Sequence, residues 1–155
     1  PKTPKPQELN SNLNILIKMQ PKTIKGPSSQ AGADVSGTSV SGVNSLTLQN
    51  VTGTGSFSGA VSTATLNVGA TVNNFSSTGT GGTITNAVVF GNTGTLTLGQ
   101  ASGTQNYFFG LTATAPSLIS LAGTFGSSNS HKFFSSLTIS PSVISAIPSY
   151  VLTKI

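Results

Sequence analysis

Residues 45–72 of the chain read SLTLQNVTGTGSFSGAVSTATLNVGATV. Single large apolar residues alternate with small polar ones, as in Leu46-Thr-Leu48 and Leu66-Asn-Val68, and Gly and Asn separate the alternating segments. Alternation with a period of two, bounded by residues that favour turns, predicts short β-strands joined by turns. The stretch therefore predicts an all-β fold.

The same pattern extends over residues 36–100, which contain no charged residue, no His and no Pro. Within them the large apolar residues recur at intervals of 11, 9, 9, 9 and 12 residues, at Leu46, Phe57, Leu66, Phe75, Ile84 and Leu96. A strand-plus-turn unit of about ten residues predicts a stacked or fibrous β-architecture. We expect these six side chains to form the interior of a short shaft.

One such unit is too poor in apolar residues to fold alone. Burying each large side chain contributes about 1.5–3 kcal/mol, whereas ordering ten residues costs about 15 kcal/mol. The strands must therefore share an apolar interior with further polypeptide. We expect three copies of the chain around a common axis, and a solenoid within one chain or a sandwich is the alternative.

Residues 45–61, together with Ala64-Thr-Leu-Asn-Val-Gly-Ala-Thr-Val72, resemble the shaft repeats of trimeric fibres on bacteriophages and large DNA viruses. The resemblance implies a short N-terminal segment that binds the virion, a thin β-structured shaft, and a distal tip that trimerises or binds a receptor. Repeats of a similar kind occur in bacterial surface adhesins.

The chain divides by composition into residues 1–34, 35–100 and 101–155. The first segment is rich in Pro and holds five of the seven Lys residues, which predicts an extended basic arm. Its apolar residues alternate as in a strand, although Leu9, Leu13 and Leu16 would also fit a helical stripe. The residues expected to dock the arm are Lys2, Lys5, Leu13, Ile15, Ile17, Met19, Lys22 and Lys25. A solvated terminus is the other interpretation of this segment.

Residues 101–155 are denser in bulky side chains, beginning with Tyr107-Phe-Phe109. Pro116, Pro141 and Pro148 disfavour long helices there. We expect a small β-rich cap that closes the shaft or holds a trimer together.

The sequence offers little for catalysis. Its two acidic residues, Glu8 and Asp34, lie 26 positions apart, and His131 has no accompanying Gly-x-Ser-x-Gly turn. Without Cys, and with one His, no metal site or cofactor motif can be assembled. We therefore expect a protein that is not an enzyme and has no cofactor.

Partners are constrained by the charge distribution. The net charge of +5 comes mainly from the arm, the chain has no Arg, and no aromatic residue interleaves the N-terminal lysines, so a nucleic-acid partner is not expected. A secretory signal is not expected, because the apolar run Leu13-Asn-Ile-Leu-Ile17 is short and follows Glu8 rather than a basic region. A membrane span is not expected either, because the uncharged interval 133–153 contains two Pro and eight Ser or Thr residues.

These observations predict a non-enzymatic structural protein at the virion surface: a homotrimeric short fibre or spike. The arm would bind capsid or tail proteins, and attachment to a host glycan or receptor would be a further role. Two alternatives are a monomeric capsid cement or minor capsid protein, and a cellular carbohydrate-binding adhesin module.

Overall fold

The structure is a computed structural model that describes residues 22–26, 32–129, 131–133, 136–139 and 150–152. The described residues form strands and no helix. The strands are β1 (Lys22–Lys25), β2 (Val35–Gly37), β3 (Val40–Gln49), β4 (Thr54–Phe57), β5 (Val61–Val68), β6 (Asn74–Ser77), β7 (Thr83–Ile84), β8 (Val88–Phe90), β9 (Thr95–Leu98), β10 (Thr104–Tyr107), β11 (Leu111–Ala113), β12 (Leu118–Leu121), β13 (Thr124–Gly126), β14 (His131–Phe133), β15 (Ser136–Ile139) and β16 (Tyr150–Leu152).

Every strand pairing is parallel, and one sheet has the order β2-β4-β6-β9-β12-β15. Its in-register residues are separated by 20, 20, 21, 23 and 18 positions, and they are Val35, Gly55, Phe75, Leu96, Ile119 and Leu137. Each strand therefore pairs with the strand about twenty residues further along the chain. We call this sheet the first wall.

The second sheet supplies two more walls. Strand β5 pairs along its length with β3, and then with β7 through Thr63 and with β8 through Asn67 and Val68. From that point the sheet continues as two branches. The second wall consists of the first halves of β3 and β5 together with β7, β10 and β13. The third wall consists of the second halves of β3 and β5 together with β1, β8, β11, β14 and β16.

The chain thus winds through the three walls in turn and forms a β-solenoid of about five coils. With strands about 4.8 Å apart, five coils stack to a height of about 24 Å. The all-β prediction is confirmed, but the structural repeat is one coil of about twenty residues rather than ten. Leu46 pairs with Leu66 on the third wall, whereas Phe57 and Phe75 belong to the first wall.

All the pairings described lie within one chain. This is the solenoid that the sequence left as an alternative to a shared threefold interior. The six residues expected in the shaft interior are buried in this core, with exposures of 0–3%. Intrachain stacking is sufficient to bury them, because each coil covers the apolar row of the coil before it.

Five aromatic rings run through the interior from coil to coil. Ring centroids lie 6.2 Å apart for Phe57 and Phe75, 5.6 Å for Phe75 and Phe90, 6.3 Å for Phe90 and Tyr107, and 6.1 Å for Tyr107 and Phe125. Each ring is at most 2% exposed. We call this set the aromatic column; aromatic contacts at such distances add stability beyond the area they bury.

The corners between walls depend on residues that accept a left-handed backbone. Gly99, which follows β9, has φ +75°, and a Cβ there would meet the carbonyl oxygen of Ala122 in the next coil. Any larger residue is disfavoured at this corner by both backbone strain and close approach.

The solenoid continues across the boundaries that composition suggested. Strands β10 to β13 extend the same walls beyond residue 100. Strand β1, which lies in the segment expected to be an arm, pairs with β3 and places Lys22 opposite Leu46. Arm residues 1–21 lie outside the described residues. Within the part of the chain that is described, no helix is long and apolar enough to cross a membrane.

Candidate functional surfaces

A straight row of hydroxyl residues runs up the first wall. Five in-register positions that alternate with the inward-facing residues are Ser36, Ser56, Ser76, Thr97 and Ser120, and Thr138 is paired in register with Ser120 on β15. Ser36 is exposed and Ser56, Ser76, Thr97 and Ser120 are half-buried. This hydroxyl row gives the wall an uncharged, hydrogen-bonding surface.

Beside the hydroxyl row, side chains of one coil hold the backbone of the next. A carboxylate oxygen of Asp34 accepts a 2.7 Å hydrogen bond from the Thr54 amide, and the Asn74 carboxamide oxygen accepts one of 2.8 Å from the Thr95 amide. Asp34, one of the two acidic residues considered for catalysis, therefore makes a structural contact between coils. The carboxamide of Asn74 is engaged in the same way.

A polar cluster lies inside the fourth coil. The Gln105 side-chain amide donates to the carbonyl oxygens of Ser77 and Gly79 at 2.7 and 2.6 Å, and the Tyr107 hydroxyl donates to the Gln105 oxygen at 3.2 Å. A cavity of about 10 Å³ adjoins these residues, which is the lower limit for holding one water molecule. Burial raises the pKa of the Tyr107 phenol, because the phenolate would be desolvated.

Exposed large apolar side chains are few. Among the described residues they are Val89 at 62%, Phe108 and Phe109 at 48% each, and Leu118 at 41%. Phe108 and Phe109 lie together at the corner between β10 and β11, with centroids 5.2 Å apart and planes at 83°. Tyr107-Phe-Phe109 begins the segment that the sequence showed to be dense in bulky side chains, and of these three aromatic residues only Tyr107 is buried in the core.

The predicted docking residues are only partly within the described chain. Lys22 and Lys25 are the ends of β1, and Lys22 is half-buried. Lys2, Lys5, Leu13, Ile15, Ile17 and Met19 lie outside the described residues. His131 begins β14, and no group of three or more His, Cys, Asp or Glu residues suited to a metal occurs in the described part.

Fold and surface together define a single-chain β-solenoid whose exterior is rich in hydroxyl and amide groups and poor in charge. No protein-family model matches the chain, and neither a curated protein nor a solved structure matches it. The resemblance to fibre shafts therefore stays a prediction.

Proposed function

We propose that the protein is a non-enzymatic structural protein of a virion, a short fibre or spike that stands on the virion surface. The observation that carries this proposal is the parallel coil-to-coil pairing in all three walls. Hydrogen bonds between strands run along the solenoid axis, so the stack resists bending and keeps its ends a fixed distance apart. A short chain that acts as a spacer requires this stiffness.

The exterior supports the same role. The hydroxyl row and the scarcity of charge leave a hydrated surface with few groups that attract partners non-specifically. The lysines are concentrated at the N-terminal end, where β1 is the outermost strand of the third wall. In this proposal residues 1–34 bind capsid or tail proteins, and the far end faces the host.

Three copies would associate through residues 101–155 rather than through a common interior, because each chain fills its own core. The same closed core favours a second candidate function, that of a monomeric capsid cement protein. A chain that buries its own apolar rows has no need of partners to fold.

Immunogold electron microscopy of virus particles whose genome encodes the chain tests the virion assignment. A fibre or spike predicts label at a fixed distance outside the capsid, and a cement protein predicts label on the capsid surface itself. Unlabelled particles would contradict both. Sedimentation equilibrium of the full chain then separates a trimer from a monomer.

A further inference from the structure

The corner between β10 and β11 breaks the usual rule for turns. The Gly110 amide donates a 2.8 Å hydrogen bond to the Tyr107 carbonyl oxygen, and Gly110 has φ +87°. Phe108 and Phe109 therefore occupy the two central positions of a four-residue turn. Gly, Pro, Asn, Asp and Ser are the residues favoured there. Large apolar residues at such positions are expected where function, not folding, selects them.

The turn is held rigidly. Its flanking residues, Tyr107 and Leu111, are each 2% exposed in the core. The Phe108 amide donates to the Ile84 carbonyl oxygen of the coil below, and the Phe108 carbonyl accepts from the Ser128 amide above, both at 2.9 Å. Because the backbone is fixed on both sides, little conformational entropy remains to be lost when a ligand contacts the rings.

The surroundings of the two rings are polar and uncharged. The same corner of the coil below carries Thr85 and Asn86, both exposed, and residues 127–129 (Ser-Ser-Asn) lie at this corner of the coil above. The Asn86 side-chain amide nitrogen already donates to the Thr65 hydroxyl, and the Ser127 hydroxyl already donates to the Asn129 carbonyl oxygen. The other polar groups on the two sides of the rings are the Asn86 carboxamide oxygen and the side chains of Thr85, Ser128 and Asn129. Hydroxyl and amide groups can both donate and accept hydrogen bonds.

We propose that the Phe108–Phe109 turn is a binding site for neutral carbohydrate. The C–H face of a pyranose ring would stack on an exposed phenyl ring, and the sugar hydroxyls would bond to the amides and hydroxyls beside it. This inference rests on the proposed attachment role, and it gives that role a ligand class and a location.

The size of the patch argues against a protein partner. A Phe side chain has an area of about 150–250 Å², so two half-exposed rings present about 200 Å². A stable protein interface buries about 800 Å² on each side. The patch is instead comparable with one or two sugar rings. Residues 85–86, 108–109 and 127–129 carry no charge, which fits a neutral sugar; Lys132, paired with Thr112, is the described cation on the neighbouring strand.

Amide chemical-shift mapping on the isotope-labelled full chain tests the proposal. The probes are cellohexaose, maltohexaose, mannohexaose and lactose, each titrated into the millimolar range. At least one probe should shift the amides of 85–86, 108–110 and 127–129 selectively. The double variant Phe108→Ala/Phe109→Ala should weaken that binding by about tenfold or more, and Phe108→Tyr/Phe109→Tyr should keep it.

Leu118→Ala is the matched control, because Leu118 is exposed to a similar degree but lies on the first wall. It should bind as the wild type does. If the alanine double variant does not fold, the wild-type map decides alone. The proposal is overturned if no probe shifts these amides, or if they shift with protein concentration without sugar, which would assign the patch to a second copy. Sugar binding without labelled virus particles would keep the site and remove the virion role.

Discussion

The second coil, formed by β4 and β5, and the fourth coil, formed by β9, β10 and β11, share a core but differ at their corners. In the second coil β5 runs without a break from the second wall into the third, and Gly55 to Phe75 spans 20 residues. In the fourth coil the corresponding path breaks at Phe108 and Phe109, where it is one residue longer than in the second coil. Leu96 to Ile119 spans 23 residues, and most of the increase lies at the corner between β9 and β10. The rows of inward-facing side chains fix the register between coils, so additional residues can be accommodated only at the corners.

The residues of the coils fall into two groups, those of the interior and those of the corners and outer rows. Side chains in the interior rows determine whether the coils stack, because each touches the coil before and after it. Side chains at the corners and on the outer rows are free of that constraint and can serve a ligand. Substitutions in the two groups should therefore have effects of very different size.

The largest effect should come from the aromatic column. Phe75→Ala removes a 1% exposed ring that contacts Phe57 and Phe90, and should lower the free energy of unfolding by about 3–5 kcal/mol. Phe109→Ala, at a corner, should change it by about 0.5 kcal/mol or less. Urea denaturation of both variants measures this; equal losses would abolish the distinction between interior and corner.

Gly99 is one of the corner positions that should tolerate no side chain. Gly99→Ala should destabilise the fold by about 3 kcal/mol, because it adds left-handed strain and a contact with the Ala122 carbonyl oxygen. Gly81 has φ +80° with nothing within 4 Å of a built Cβ, so Gly81→Ala should cost only the strain, about 1 kcal/mol. Thermal melts that rank Gly81→Ala as the more damaging variant would refute this account of the corner.

The polar cluster of the fourth coil should contribute less. Tyr107→Phe removes the hydroxyl that donates to Gln105 and leaves a buried oxygen without that donor, for a loss of about 1–2 kcal/mol. Chemical denaturation at neutral pH measures this loss. A variant as stable as the wild type would mean that the cavity beside the cluster supplies water as a substitute partner.

Alkaline pH should reveal the same tyrosine. Its pKa is higher in the folded chain than the ordinary value of about 10, so the folded state holds the phenol proton more tightly than the unfolded state. The stabilisation from the neutral phenol is complete below about pH 10 and declines as the pH rises above it. Stability measured across this range should fall more steeply for the wild type than for Tyr107→Phe, and identical slopes would contradict the assignment.

The smallest effect should be on the hydroxyl row. Ser76→Ala removes one half-buried hydroxyl from the first wall and should change stability by no more than about 0.5 kcal/mol. Differential scanning calorimetry against the wild type is sufficient. A loss comparable to that of Phe75→Ala would show that the hydroxyl row contributes substantially to the stability of the fold.

Sequence patterns predicted part of this structure for clear physical reasons. Alternation marks Leu46, Leu48 and Leu66 as inward residues because strand side chains point to opposite faces in turn. The length of the coil could not be predicted from this alternation. Successive apolar residues such as Leu46 and Phe57 lie on different walls, so a spacing near ten corresponds to half a coil, and parallel partners twenty residues apart leave no local signal.

The candidate carbohydrate site was hidden for a related reason. Tyr107, Phe108 and Phe109 look alike in a count of bulky residues, yet the turn closed by Gly110 sends the last two outward. The Gly after the aromatic run is the one local sign of a turn. The register with Ile84 and Ser128, which fixes the rings in place, depends on coils far away in sequence.

The central claim is that the walls form by pairing within one chain, and disulfide cross-linking tests it most directly because the chain has no Cys. Ser56 and Ser76 are in register on neighbouring strands of the first wall, about 4.8 Å apart and within the range a disulfide spans. The full chain carrying Ser56→Cys and Ser76→Cys should oxidise to a cross-linked monomer. The pair Ser56→Cys and Thr97→Cys, two strands apart, should not. Cross-linked dimers or trimers from the first pair would contradict the account and assign the strand pairing to separate chains.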